Sequence, residues 1–584
     1  MTSLNRRVAV CAIGVALAVT ATACSSSKKG GGNSNQSGSA SNSGTGALNT
    51  TKGGTLYYLT KRPVEHWDPQ RTYIGRDLAD ASRLFYRTLT QLKPDNTLVP
   101  DLATDTGKAS DGNKTWTFTL KSGPKWQDGS PVTCADIKYG VSRTFAVNTI
   151  TGGPNYAIQF LDIPSKPDGS SQYEGPYTKK GQALYDKAVT CSGSTITFHL
   201  KKPVGDFNYA VSGALSAFAP FKASQDKAAQ SNYQIFSDGP YMLQGTWQEG
   251  KGGTFVRNPQ YDASTDTPGI RLALPDKIVW TEGLTDETIF DRLLKDQGTD
   301  QFAVTDRSAP PAYQVRVAAE KSRVTNPDTP FVDYLLPNFK KLTNPLVRQA
   351  LAVAVDKTSW ITAYGGPALA KPANSIILPT VTGYKDFGNV FGAPDSGDPA
   401  KAKALLQQAG VPTPYPIHFT YNGGTPTTDA EASSMKQAWE KAGFKVTLEG
   451  LTDTYYDVIQ NPSNNQKYDV TWAGWGADWP NASTVVPPLF DSRVNLSTSS
   501  NGQDYGWYAS NTTNSAIDAA YNEQDTSKRN AMWGDLSETL AKDVAYIPLD
   551  IEKFLRLHGS KVTNYGENAA SNGYPAIGQI GVSG

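Results

Sequence analysis

The sequence predicts an α/β protein made of two compositionally different bodies, and three observations carry that reading. Segments of alternating aromatic and polar residues, the mark of half-buried strands, dominate the first half from Gly53 onward. From about residue 340 helical and strand patterns alternate, the grammar of an α/β lobe with a partly parallel sheet. At 584 residues the chain is long enough for two to four domains, and therefore for a cleft between lobes.

The opening "MTSLNRRVAVCAIGVALAVTATAC" has a basic start, an apolar run from Val8 to Val19 and small residues before Cys24, so residues 1–23 read as a secretory signal. The apolar run is too short to span a membrane. The ending "TATAC" resembles a bacterial lipobox, with Ala21 where Leu or Val is commoner, which makes Cys24 the expected lipidated N-terminus. The alternative is an ordinary secretory signal. Residues 24–52, rich in Ser, Gly and Asn, lack the apolar side chains for a core and read as a flexible tether. The body is thus expected to be held near the outer face of a bacterial cell membrane, touching it through the lipid only.

The globular text begins at Gly53. "GGTLYYLT", "NKTWTFTLKSGPKWQDGSPV", "STITFHLKKP" and "GTFVRNPQY" read as strands. "TCADIKYGVSRTF" opens a helix, with Thr133 as N-cap and Asp136 as its capping-box partner. In "TNPLVRQALAVAVDK", Asn344 caps and Pro345 fills the first helical position. "GDPAKAKALLQQAG" repeats that grammar with Asp398, Pro399 and a stop at Gly410. The strand "YPIHFTYN" follows, then a helix over "TDAEASSMKQAWEKAG" with Thr428 and Glu431 at capping-box spacing, then the strand "FKVTLEGL". "YDVTWAGWGADWPN" comes next, and "SKRNAMWGDLSETLAKDVAYIPLDI" reads as a helix running into a strand.

Composition excludes several functions. Removing residues 1–23, which carry Arg6 and Arg7 and no acid, leaves 53 basic against 54 acidic residues, so no broad basic face attracts nucleic acid. Of four cysteines, Cys11 and Cys24 belong to the signal region. Cys134 and Cys191 remain in a chain placed outside the cell, where a disulfide is expected; two buried free thiols are the alternative. No CxxC occurs and the four histidines are scattered, so neither a metal nor another cofactor is expected. No GxSxG, HExxH, P-loop or strand-linked GxGxxG is present, and a carboxylate pair of the glycosidase kind is the only enzymatic reading left open.

In chain order, "LKSGPKWQDGSPVTCADIKYGVSRTF", "FSDGPYMLQGTWQEGKGGTFVRNPQYD", "LTNPLVRQALAVAVDK", "DPAKAKALLQQAG", "YDVTWAGWGADWPN" and "RNAMWGDLSETLAKDVAYIPL" resemble family 5 of the bacterial extracytoplasmic solute-binding proteins. That class includes oligopeptide-, dipeptide- and nickel-binding receptors of ABC importers. The resemblance implies a periplasmic-binding-protein-like, two-lobed fold of type II, cluster C, with an extra inserted domain, three domains in all. Domain I would comprise residues 53–90, 227–330 and 546–584, domain II the insertion 91–226, and domain III the α/β lobe 331–545. It also implies a monomeric receptor that delivers a small peptide to ABC permease subunits backed by a cytoplasmic ATPase.

"GWGADWPN" carries the candidate site. In peptide-binding members, text resembling Gly-Trp-x-Ala-Asp-Tyr offers an extended backbone to which the peptide pairs, and the aspartate meets the peptide's ammonium group. Gly474, Trp475, Gly476, Ala477 and Asp478 match that text, with Trp479 in place of Tyr. The alternative is that Asp478 bonds backbone amides near Asn481. Tyr58, Leu59 and Thr60 in the first strand are candidates for backbone contact from the opposite wall, and Trp472, Trp507 and Tyr505 for side-chain subsites. The rival readings are an oligosaccharide receptor that uses Trp475 as a stacking platform, and a secreted glycoside hydrolase.

Overall fold

The computed structural model describes residues 48–583 apart from Asp168, Asp453, Thr498 and Ser499. The signal, Cys24 and the tether as far as residue 47 lie outside the described residues. Among the described residues no helix is long and apolar enough to cross a membrane.

Three sheets organise the chain. The first has five strands in the order Ala303–Thr305, Thr55–Leu59, Lys277–Thr281, Gly252–Arg257 and Tyr241–Gln248. Side chains along Thr55–Leu59 alternate as a pleated strand requires. Leu56 and Tyr58 enter an aromatic core with Trp67, Phe85 and Trp280, whereas Leu59 packs on the other face with Ile289, Phe290 and Leu293. Trp67 meets Phe85, Trp247 and Trp280 edge to face at 5.1, 5.3 and 5.7 Å, the geometry that ring quadrupoles favour.

The second sheet is antiparallel, in the order Lys108–Ser110, Thr115–Thr119, Thr195–His199 and Val189–Ser192. The helix Cys134–Arg143 covers it and begins with a complete capping box between Thr133 and Asp136. Cys134 at the start of that helix is joined to Cys191 by a disulfide, with Cα atoms 6.0 Å apart.

The third sheet has six strands, in the order Ala370–Pro372, Ile547–Lys553, Asp328–Pro337, Val470–Gly476, Tyr415–Asn422 and Phe444–Leu451. The last three run parallel, and Asp328–Pro337 pairs antiparallel with both neighbours. Helices cover both faces. Pro345–Val353, Lys357–Tyr364, Pro399–Gln408 and Pro426–Lys441 bury Leu351, Trp360, Leu406 and Trp439 on one side. Val486–Phe490, Asn511–Asn522 and Thr526–Lys542 bury Leu489, Ile517 and Trp533 on the other.

Asn344 and Asp398 cap their helices as the sequence reads them, each followed by proline at the first helical position. The helix expected to be capped at Thr428 starts three residues earlier. Thr425 accepts from the Thr428 amide and Pro426 opens the helix with its fixed φ, so Glu431 is no capping partner and turns into the lobe. The strand Ile547–Lys553 belongs to the third sheet, paired with Asp328–Pro337. The expected return to the first body at residue 546 therefore comes after Lys553, because the apolar run "AYIPLDI" is long enough to be buried at the middle of the lobe.

The disulfide closes a loop with a sequence separation of 57 residues. On the chain-entropy argument, replacing both cysteines by serine should cost about 2–4 kcal/mol of unfolding free energy, read from urea denaturation. An unchanged midpoint would show that the crosslink does not constrain the unfolded chain.

Candidate functional site

The Val470–Gly476 strand is paired unequally. Along one edge every residue faces a partner on Asp328–Pro337, from Val470 opposite Pro337 to Gly476 opposite Phe331. Along the other, Tyr415–Asn422 reaches only Val470 and Thr471. From Trp472 to Gly476 no strand pairs with that second edge among the described residues, and Gly474 is exposed. An unpaired strand edge offers backbone donors and acceptors to an extended peptide.

Both glycines sit at close approaches. A Cβ on Gly476 would lie 2.6 Å from the Phe331 ring, and one on Gly474 would lie 3.0 Å from Asp333 Oδ1. Between them, the Trp475 indole N–H donates to the Thr484 carbonyl at 2.9 Å, and the half-buried ring packs against the lobe core. Trp475 is thus a fixed wall. A ring held in this way makes a poor free-standing sugar platform.

Beyond the strand the chain crosses to the second sheet's body. Trp479, 2% exposed, enters that body's core, 4.9 Å from Tyr156, and its indole N–H donates to Asp206 Oδ2 at 2.7 Å. Ser483 donates to the same oxygen. Asn481 accepts from the Ser483 amide at 3.0 Å and caps the short turn that follows. That is the job the alternative reading gave to Asp478, and Asp478 does not do it.

Asp478 instead sits half-buried in a crevice whose walls come from distant parts of the chain: Leu92, Ala214, Thr380 and Asn572. Its carboxylate accepts a hydrogen bond from the Tyr156 hydroxyl, and the Tyr73 phenol acts on it electrostatically. Desolvation pushes it up to about 6, against the lowering effect of the two phenols. Burial raises both phenols, and the Asp478 charge raises them further, so both stay protonated. No cation is paired with Asp478 among the described residues. Tyr73 and Tyr156 escaped the sequence reading because nothing local marks them; Tyr156 lies 322 residues from Asp478 along the chain.

The other candidates are not brought here. Tyr58 and Leu59 are paired on both edges, with Lys277–Thr281 and with Ala303–Thr305, so their backbone has no edge to offer a ligand. Tyr58 is stacked on Trp280 with ring centres 3.7 Å apart, and the Thr60 hydroxyl accepts from buried Arg76 at 3.0 Å. Tyr505 and Trp507 are buried, the latter with the Lys340 ammonium 3.5 Å from its ring centre. Trp472 is half-buried between the two core clusters of the lobe.

A carboxylate whose folded value lies near 6 destabilises the folded chain once ionised, because its unfolded counterpart titrates near ~4. That cost is absent below about pH 4 and complete above about pH 6. Asp478→Asn, which keeps an acceptor oxygen, should therefore stabilise the unliganded protein by about 1–3 kcal/mol at pH 7.5. The advantage should vanish near pH 4, as followed by denaturant midpoints at both pH values. Equal midpoints at pH 7.5 would contradict it.

Residues 97–497 match the bacterial extracellular solute-binding proteins, family 5. The glutathione-binding protein GsiB of Salmonella typhi is 23% identical over 492 residues, 83% of this chain and 86% of the relative. Among solved structures, the clavulanic acid biosynthesis oligopeptide binding protein 2 superposes with a TM-score of 0.84 at 28% identity, covering 93% of this chain and 98% of that one. DppA of Helicobacter pylori, in complex with the peptide STSA, shares the fold with a TM-score of 0.66 at 19% identity over 92% and 99% of the two chains. These relatives are receptors, which sets the hydrolase reading aside. The match extends over more than half of the sequence and includes the glycine–tryptophan strand, and the chain belongs to family 5 of the bacterial extracellular solute-binding proteins, the substrate receptors of ABC transporters.

Proposed function

We propose that the protein captures short peptides outside the membrane and delivers them to an ABC permease. The observation that carries this reading is the unpaired edge from Trp472 to Gly476, ending two residues before a carboxylate that has a phenolic donor and, among the described residues, no paired cation. Added as a strand, a peptide gains affinity through main-chain bonds that are blind to its side chains. Its ammonium group supplies the positive charge that Asp478 lacks, and a charge-assisted hydrogen bond fixes the register. The Tyr156 hydroxyl holds the carboxylate in place for that contact. The names of relatives point the same way: glutathione-binding, oligopeptide binding, and a structure with a bound peptide.

Capture works by differential affinity. A ligand that touches the lobe strand, the segment around Tyr73 and the body carrying Tyr156 favours the arrangement in which all three meet. The receptor acts as a monomer, with Cys24 bearing the lipid that anchors it to the outer face of the cell membrane.

Calorimetry with free and N-acetylated peptides tests the site. Asp478→Ala should weaken binding of free peptides by about 2–5 kcal/mol, since a desolvated charge would lose its partner. N-acetylation should weaken binding to the unaltered protein comparably. Equal affinity for free and acetylated peptides would remove Asp478 from the ammonium role, and binding of oligosaccharides alone would transfer the receptor to sugars. Cys24→Ser should move the protein from the membrane fraction to the medium, as followed by immunoblot.

A further inference from the structure

A second group of acids lies beside the same strand. Asp333, on Asp328–Pro337, is directly opposite Gly474 on one side and Asp550 on the other. Glu552 follows on the strand of Asp550, and Glu431 enters from the helix Pro426–Lys441. Asp550, Glu431 and Asp333 are 1%, 4% and 7% exposed, and Glu552 is half-buried. Neither oxygen of Asp550 has a hydrogen-bond partner among the described residues, and Glu431 Oε1 has none. The Trp360 indole N–H beside Asp550 is likewise unpartnered.

No arginine or lysine forms an ion pair with any of the four among the described residues. Lys357 is the cation whose field reaches Asp550, but its ammonium group donates to the Ala373 carbonyl and to Asn374 Oδ1. Burial lowers Lys357 to about 8. Burial, reinforced by mutual repulsion, drives the acids up: Asp550 and Glu431 to about 8, and Asp333 well above its ordinary value. Burial alone raises Glu552 to about 7. Buried acids without partners are costly.

We propose that Asp333, Glu431, Asp550 and Glu552 form a pocket for the cationic side chain of a bound peptide, specifically a guanidinium group. The inference rests on the peptide reading above. A peptide added to the unpaired edge lies alongside Gly474, and alternate side chains of an extended strand point to the sheet face that carries Asp333. Gly474, having no side chain, leaves Asp333 accessible across the strand, its Oδ1 lying where a Cβ would come within 3.0 Å. Among the described residues no group of acids is arranged to hold a metal ion, which points to an organic cation. A guanidinium carries five donors in a planar fork and can serve several carboxylates at once, whereas an ammonium group is a point charge with three. An acidic side chain at this position would be repelled.

Calorimetry with the full chain tests the pocket, using Ala-Ala-Ala and the tripeptides with Arg, Lys or Glu placed at each position in turn. At one position Arg should bind about tenfold or more tighter than Ala, Lys should fall between them, and Glu should be weakest. Glu431→Gln and Asp550→Asn each replace a carboxyl that a guanidinium would ionise by an amide of the same shape. Each should abolish most of the Arg advantage while changing Ala-Ala-Ala affinity less than about twofold. If Ala-Ala-Ala binds and Arg gives no advantage, or if the advantage survives both substitutions, the pocket is overturned and the peptide reading stands. If no peptide binds, both fall together.

Discussion

Arg143 reaches Asp68 with two hydrogen bonds, at 2.7 and 2.6 Å, and Asp226 with a third at 2.9 Å, and all three side chains are removed from water. Three segments far apart in sequence are thereby bound to one guanidinium. The same device recurs. Arg87 and Arg271 share Asp101, at 2.8 Å each, and Arg271 also holds Asp266. Arg76 joins Asp77 to Asp306, and Arg556 meets Glu567. Such pairs add little net stability, but removing one partner costs about 3–5 kcal/mol, so the segments that carry them must meet in one arrangement. A first body assembled from discontinuous pieces depends on that constraint.

The carboxylates beside the unpaired strand edge have no such pairs among the described residues. Asp478 has the Tyr156 hydroxyl, and the group around Asp550 has no ion-paired cation among the described residues, although both regions are substantially buried. Acids left without cations at an unpaired strand edge are the features that a positively charged ligand would complete. Their raised values have the same origin, since desolvation disfavours the charged form until a cation offsets it.

The strand itself connects sheet, site and neighbouring body within about a dozen residues. Val470 is buried in the lobe core, Gly474 and Gly476 let Asp333 and Phe331 approach the backbone, and Trp479 is buried in a different core, tied to Asp206. Asp478 lies between these two anchors. Its position is fixed from both sides by packing, which keeps a charged group in place without a salt bridge.

Much of the scaffold was legible because its signals are local. A cap needs its acceptor within three residues of the amide it serves, so Thr133, Asn344 and Asp398 announced their helices. Thr425 was missed through competition with Thr428, which had the right spacing but no proline after it. The glycine–tryptophan text pointed to Asp478 as the residue to watch, and the order of six segments pointed to the family. The sequence could not say that the Thr55–Leu59 strand is enclosed on both edges, which withdraws Tyr58 and Leu59 from any ligand wall. Nor could it say that Tyr73 and Tyr156 converge on Asp478, or that Asp333, Glu431, Asp550 and Glu552 gather beside Gly474. By itself the sequence determined the elements, their caps and the family; only the tertiary structure decided which charges stay unpaired. Capping and periodicity act within a few residues, whereas the partner of a buried carboxylate is chosen by the packing of segments hundreds of residues apart.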